Sequence, residues 1–118
     1  MEFQGKVVIV TGGSKGIGAA TVSAFAEQGA SVAIVDLDQA SGEDISRKLR
    51  EKGLSVSFIQ VDITQEAEVQ SMVRRVLDLW GHLDILINMV NIPENIDLRD
   101  TFAQQSIQYL KQIERQLA

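Results

Sequence analysis

The chain has 118 residues, 45% of them apolar, with no cysteine and a formal net charge of −5. That suits one globular domain, excludes disulfides and thiolate metal sites, and argues against a nucleic-acid partner. No apolar run approaches the ~20 residues that span a bilayer, the first residues read as a strand and not a signal peptide, and the lone His82 cannot build a metal cluster, so a cytoplasmic protein with no membrane partner and no metal is expected.

Residues 6–10 are a β-branched run and predict the first strand. Residues 12–18 are glycine-rich, and residues 17–28 then read as a helix with Gly29 as its left-handed stop. Ala19, Ala20, Ala24 and Ala26 would let that helix lie close to a sheet. Residues 31–35 predict a second strand ending at Asp36. Residues 39–52 form a polar helix with Asp38 as N-cap, Ile45 and Leu49 on one face, and Gly53 closing it.

Residues 55–61 predict a third strand. Residues 65–80 read as a helix capped by Thr64, with Val69, Met72, Val73, Val76 and Trp80 at the i, i+3, i+4, i+7 spacing and Gly81 at its end. Glu66 and Glu68 suit the positive end of that helix better than they suit an acid–base pair. His82 reads as a solvated turn residue, and residues 84–88 predict a fourth strand. Residues 91–95 read as a loop around the only proline, Pro93. Residues 97–117 carry a long helical pattern with Phe102, Tyr109, Leu110, Ile113 and Leu117 on one stripe.

Strands alternating with helices of this length imply a parallel sheet covered on both faces. Right-handed crossovers give the order 3-2-1-4 for its four or so strands. The expected fold is therefore a Rossmann-like three-layer α/β domain over residues 1–90, with a loop and a C-terminal amphipathic helix over residues 91–118 packed on it.

The chemistry concentrates in Val10-Thr11-Gly12-Gly13-Ser14-Lys15-Gly16-Ile17-Gly18. A pyrophosphate needs backbone N–H groups aimed at it and a helix N-terminus behind them. Gly12 allows a tight exit from the strand, Gly16 lets backbone reach phosphate, and Gly18 lets the helix lie against the strand. Asp36 follows 18 residues after Gly18, at the end of the second strand, where a carboxylate can accept from the adenosine ribose hydroxyls. The Gly-Lys-Ser/Thr order of a P-loop is missing.

This motif resembles the TGxxxGxG signature of the short-chain dehydrogenases/reductases. Val61-Asp62-Ile63-Thr64 resembles the turn after their third strand, and Trp80 to Asn88 resembles the approach to their Asn-Asn-Ala-Gly motif. The motif resemblance covers about residues 4–90. It implies that Gly12, Ser14, Gly16, Ile17 and Gly18 surround a pyrophosphate and that Asp36 and Leu37 meet the adenosine. It further implies that Asp62 and Ile63 border the adenine, and that Asn88 and Val90 lie beside the ribose. Lys15 could attract the 2′-phosphate of NADP, but Asp36 would repel each phosphate charge by roughly 3 kcal/mol before screening, which favours NAD.

The sequence departs from the family where Asn88-Met89-Val90-Asn91 replaces Asn-Asn-Ala-Gly. The only tyrosine, Tyr109, has Lys111 two residues on and Ile113 at i+4, so the family's Tyr-x-x-x-Lys pair is not formed and no catalytic residue is assigned. The expected function is the NAD-binding half of an oxidoreductase, without catalysis by this chain alone. The alternative is a non-catalytic truncated or redesigned module used in binding or assembly. The tail helix is expected to cover the fourth strand's edge within one chain; a homodimer through that edge or through the tail is the other arrangement the pattern allows.

Overall fold

The computed structural model describes residues 1–89. Seven elements follow in strict alternation: β1 (Val7–Thr11), α1 (Gly16–Glu27), β2 (Ser31–Asp36), α2 (Gln39–Glu51), β3 (Val56–Gln60), α3 (Glu66–Trp80) and β4 (Ile85–Asn88). The strands form one sheet in the order β3-β2-β1-β4, and every neighbouring pair is parallel. The α/β fold expected from the alternation is the one present. The expected loop and helix over residues 91–118, and their packing on the sheet, lie outside the described residues.

The strands read as continuous apolar runs because both faces are covered. All of β1 is buried, and so is Val32 to Val35 in β2. Side chains alternate between faces. Val8, Val10, Val32 and Ile34 meet Val22 and Ala26 of α1 and Leu49 of α2. Val7, Ile9, Ala33 and Val35 meet Val69, Met72, Val73 and Val76 of α3 on the opposite face. The chain thus switches faces between β3 and β4, and β1 lies where the order reverses.

Local chemistry fixes the helix ends. Asp38 caps α2 as expected, accepting from the Ser41 N–H at 3.1 Å. Thr64 does not cap α3: Gln65 holds the cap position without a side-chain bond, because Asp62 captures the Thr64 hydroxyl at 2.6 Å and its N–H at 3.0 Å. Glu68 serves the helix start instead, accepting from the Asp62 N–H at 3.1 Å. Gly81 ends α3 in the left-handed region at φ 84°.

The inner face of α1 differs from the sequence reading: it is Gly18, Val22 and Ala26, while Ala20 and Ala24 face solvent. On α2 Ile45 and Leu49 pack on one core as expected, Ile45 half-buried, and Gly42 and Ser46 are buried with Leu49. Gly42 is required there because the Phe58 ring of β3 occupies the space a Cβ would take. In both helices the smallest residue sets the inner face, a pattern that counting apolar side chains overlooks.

β4 is only half-buried along its length, and polar bonds tie it to β1 at both ends. At its start, Asp84 accepts from the Val7 N–H at 2.8 Å and donates its own N–H to the Val7 carbonyl at 3.0 Å. His82 is exposed, yet its Nε2 lies 3.0 Å from the same carboxylate and 3.1 Å from the Gly5 carbonyl oxygen.

Met72 is fully buried against the α3 face of the sheet. Met72→Ala removes that packing and is expected to cost about 2–5 kcal/mol. Urea unfolding should show a lower midpoint with an unchanged slope. A midpoint within error of the parent would contradict the assignment of Met72 to the core.

Candidate functional site

Because the strands are parallel, their C-terminal ends share one edge of the sheet. Thr11, Asp36, Gln60 and Asn88 end the four strands there. Ligands of open α/β sheets bind outside this edge, at the point where the strand order reverses. In this chain that point is beside β1, and the glycine-rich residues 12–16 leave it directly.

Two glycines in the turn need the left-handed region, Gly12 at φ 64° and Gly16 at φ 55°. Gly12 also lies so close to the Met89 carbonyl that a Cβ would come within 2.5 Å of its oxygen. At Gly16 a Cβ would meet nothing within 4 Å, so the backbone there faces open space. Gly18 has the opposite surroundings: a Cβ would overlap the Gly12 carbonyl and crowd Gly13. The first turn of α1 therefore lies directly on the end of β1. Its N-cap residue, Lys15, gives no side-chain cap, and no acid stands in its first turn. The N–H groups at a helix start lack intrahelical partners, and here the positive end of the helix dipole has no built-in anion.

Asp36 closes one side of this turn. Its Oδ2 accepts the Ser14 hydroxyl at 2.5 Å and the Ser14 N–H at 3.3 Å, while Oδ1 accepts the Asp38 N–H at 3.3 Å. Ser14 is itself buried, so the acid is anchored to the glycine turn and not free in solvent. Lys15 does not point at Asp36; its Nζ forms an ion pair with Asp38 Oδ2 at 2.9 Å. That ammonium, with the Ser41 N–H and hydroxyl, holds the Asp38 carboxyl down to about 2 from an ordinary 3.8, and Asp38 in turn raises the lysine.

Leu37 and Ile17 project outward on this edge, 61% and 78% exposed. Gln60 supports the Leu37 turn by donating Nε2 to its carbonyl at 3.1 Å. Asp62 is turned onto Thr64, whose hydroxyl and N–H lower its carboxyl below the usual range. Ile63 is half-buried against the α3-side core. Asn88 stands at the end of β4, its Oδ1 accepting the Thr11 hydroxyl at 2.8 Å. Val90 lies outside the described residues.

The structure thus gathers Gly12, Ser14, Lys15, Gly16, Ile17, Gly18, Asp36 and Leu37 into one turn system, with Asn88 at the end of β4 and Asp62 two residues past the end of β3. Sequence reasoning missed Thr11, Gln60 and the second role of Asp38. Thr11 is 1% exposed and joins two groups: it donates to Asn88 and accepts the Met89 N–H at 2.9 Å. A β-branched hydroxyl residue as the last position of a buried strand was the available signal.

A family model described as short chain dehydrogenase matches residues 6–114. The match continues past residue 90, where the motif resemblance stops, and takes in most of the residues read as a separate tail. An uncharacterized oxidoreductase of Thermotoga maritima is 44% identical over 86 residues, covering 73% of this chain and 34% of that protein. The L-fucose dehydrogenase of Rattus norvegicus is 44% identical over 87 residues, covering 74% of this chain and 31% of that protein. A short-chain dehydrogenase/reductase from Burkholderia phymatum, solved in complex with NAD, superimposes with a TM-score of 0.70 at 29% identity, over 73% of this chain and 31% of that one. This chain therefore spans about a third of the length of these proteins.

Two outcomes follow from the geometry. Thr11→Val keeps the shape but leaves the Asn88 oxygen and the Met89 N–H without this partner, a cost of about 1–3 kcal/mol. Amide exchange should accelerate at Met89 first; uniform exchange throughout β4 would contradict the local role. The Asp38 carboxyl should titrate near 2 by NMR, and Lys15→Ala should raise it toward 3.8. Since its folded value is depressed, its stabilisation is present above about pH 4 and is lost as pH falls through 2. An Asp38 carboxyl that titrates at its ordinary value in the parent would overturn the ion pair.

Proposed function

The chain belongs to the short-chain dehydrogenase family, and from that premise we propose that it supplies the dinucleotide-binding part of an oxidoreductase, with NAD preferred over NADP. The family binds nicotinamide dinucleotide. The observation that carries the preference is Asp36, fixed by Ser14 at the end of β2 beside the glycine turn. A carboxylate held there accepts from a ribose diol and repels a 2′-phosphate.

The residues present fit the group. The open backbone at Gly16 and the uncapped start of α1 offer N–H groups and a positive dipole to a pyrophosphate. Ile17 and Leu37 offer apolar surface to the rest of the ligand, and burying them would remove two large exposed side chains from water. Asp62 and Ile63 border the adenine, and Asn88 flanks the ribose, in this reading. When bound, the dinucleotide supplies a hydride acceptor or donor at its nicotinamide ring; the chain's own groups bind and orient it. No catalytic role is assigned to Tyr109, because Ile113 stands where the family pattern has lysine.

Calorimetric titration tests this reading. NAD should bind more tightly than NADP, and Asp36→Ala should narrow the difference about tenfold by removing repulsion and ribose hydrogen bonds together. Tighter binding of NADP than NAD by the parent chain would sink the preference.

A further inference from the structure

Asp36 is one of two acids beside the glycine turn, and the second has a different task. We propose that Asp38 is a specificity-determining residue: by pairing with Lys15 it withholds the turn's one cation from a ribose 2′-phosphate and so strengthens the preference for NAD. The inference rests on the cofactor reading above.

Lys15 is the only basic residue in the motif from Gly12 to Gly18, and it sits on the turn that leaves β1. Taken alone, it favours the phosphorylated dinucleotide. Its Nζ is instead 2.9 Å from Asp38 Oδ2, on the turn that leaves β2. The pair joins the start of α1 to the start of α2, since Lys15 and Asp38 are the two N-cap residues. Asp38 is held in place independently of the lysine, because its Oδ1 accepts the Ser41 N–H at 3.1 Å and its Oδ2 accepts the Ser41 hydroxyl at 2.8 Å. Asp36, through its bonds to Ser14 and to the Asp38 N–H, fixes the spacing of the same two turns.

A 2′-phosphate beside Asp36 would draw Lys15 toward itself, and the lysine would have to leave Asp38 to answer. It has room to move: with Ser14, Gly16 and Ser41 it lines an open groove of about 480 Å³ between α1 and α2. Both partners are solvent-accessible, with side chains 66% and 36% exposed, so the pair restrains the lysine weakly and the effect on affinity is about three- to fivefold. The two acids therefore act differently. Asp36 affects both dinucleotides through the diol and by repulsion, whereas Asp38 affects only the one that needs the lysine.

The test is a double-mutant cycle read by calorimetry with NAD and NADP. Asp38→Asn removes the charge but keeps an excellent N-cap for α2, so the melting temperature should stay near that of the parent. D38N should tighten NADP about three- to fivefold and leave NAD within twofold. In the K15A background the same change should gain much less, because the freed cation is gone. Equal gains in both backgrounds would make Asp38 a plain repulsive charge and overturn the proposal. A parallel change in NAD and NADP would reduce it to a structural cap and overturn it equally. Failure of every variant to bind either dinucleotide would reject the cofactor reading itself, and this inference with it.

Discussion

The upper edge of this domain depends on one close approach, the contact between the first turn of α1 and the end of β1. A Cβ at Gly18 would overlap the Gly12 carbonyl, so the helix can lie this near only if position 18 is glycine. With the helix so close, the chain must leave β1 and enter α1 through a very short turn. That turn needs positive φ at Gly12 and at Gly16, which residues with side chains rarely tolerate. Its backbone then runs past the sheet edge with N–H groups exposed at an uncapped helix start. Ser14 is carried inward and meets Asp36. The anion-receptive helix end and the anchored acid thus both follow from one steric fact.

The sheet below holds this edge still. β1 is the central reference, because it pairs with β2 on one side and β4 on the other. Its five residues are all buried, and the first four divide alternately between two cores. Losing either core would free the strand that positions Gly12. β4 contributes less apolar burial, and polar bonds take over: Asp84 at its start and the Thr11–Asn88 bond at its end fix its register against β1. Thr11 also accepts from Met89, the residue whose carbonyl abuts Gly12. The end of β4 and the glycine turn are in this way parts of one assembly.

Most of the fold was readable from the sequence because local signals agreed. β-branched runs, glycine stops and the spacing of Val69, Met72, Val73 and Val76 each indicate the same elements, and strand–helix alternation leaves few topologies. The glycine motif and Asp36 were readable for the same reason: their spacing has a steric and electrostatic cause. What escaped were the specific partners of individual residues. Thr64 looks like a cap until Asp62 is seen to capture it. Lys15 looks like a free cation until Asp38 is seen beside it, 23 residues on in the chain. Gly42 gives no sign in the sequence of the Phe58 ring that lies against it. In each case periodicity gave the element, and only the fold supplied the partner.

The central claim is that the edge formed by Gly12 to Gly18 with Asp36 and Leu37 receives the dinucleotide. Amide chemical-shift mapping of the isotopically labelled chain during titration with NAD tests it most directly. The account predicts that the largest saturable shifts fall at Ser14, Gly16, Ile17, Gly18, Asp36 and Leu37, with the middle of α3 and the start of β4 unmoved. Saturable shifts centred on α3 or on the opposite edge of the sheet, or none up to millimolar ligand, would contradict it.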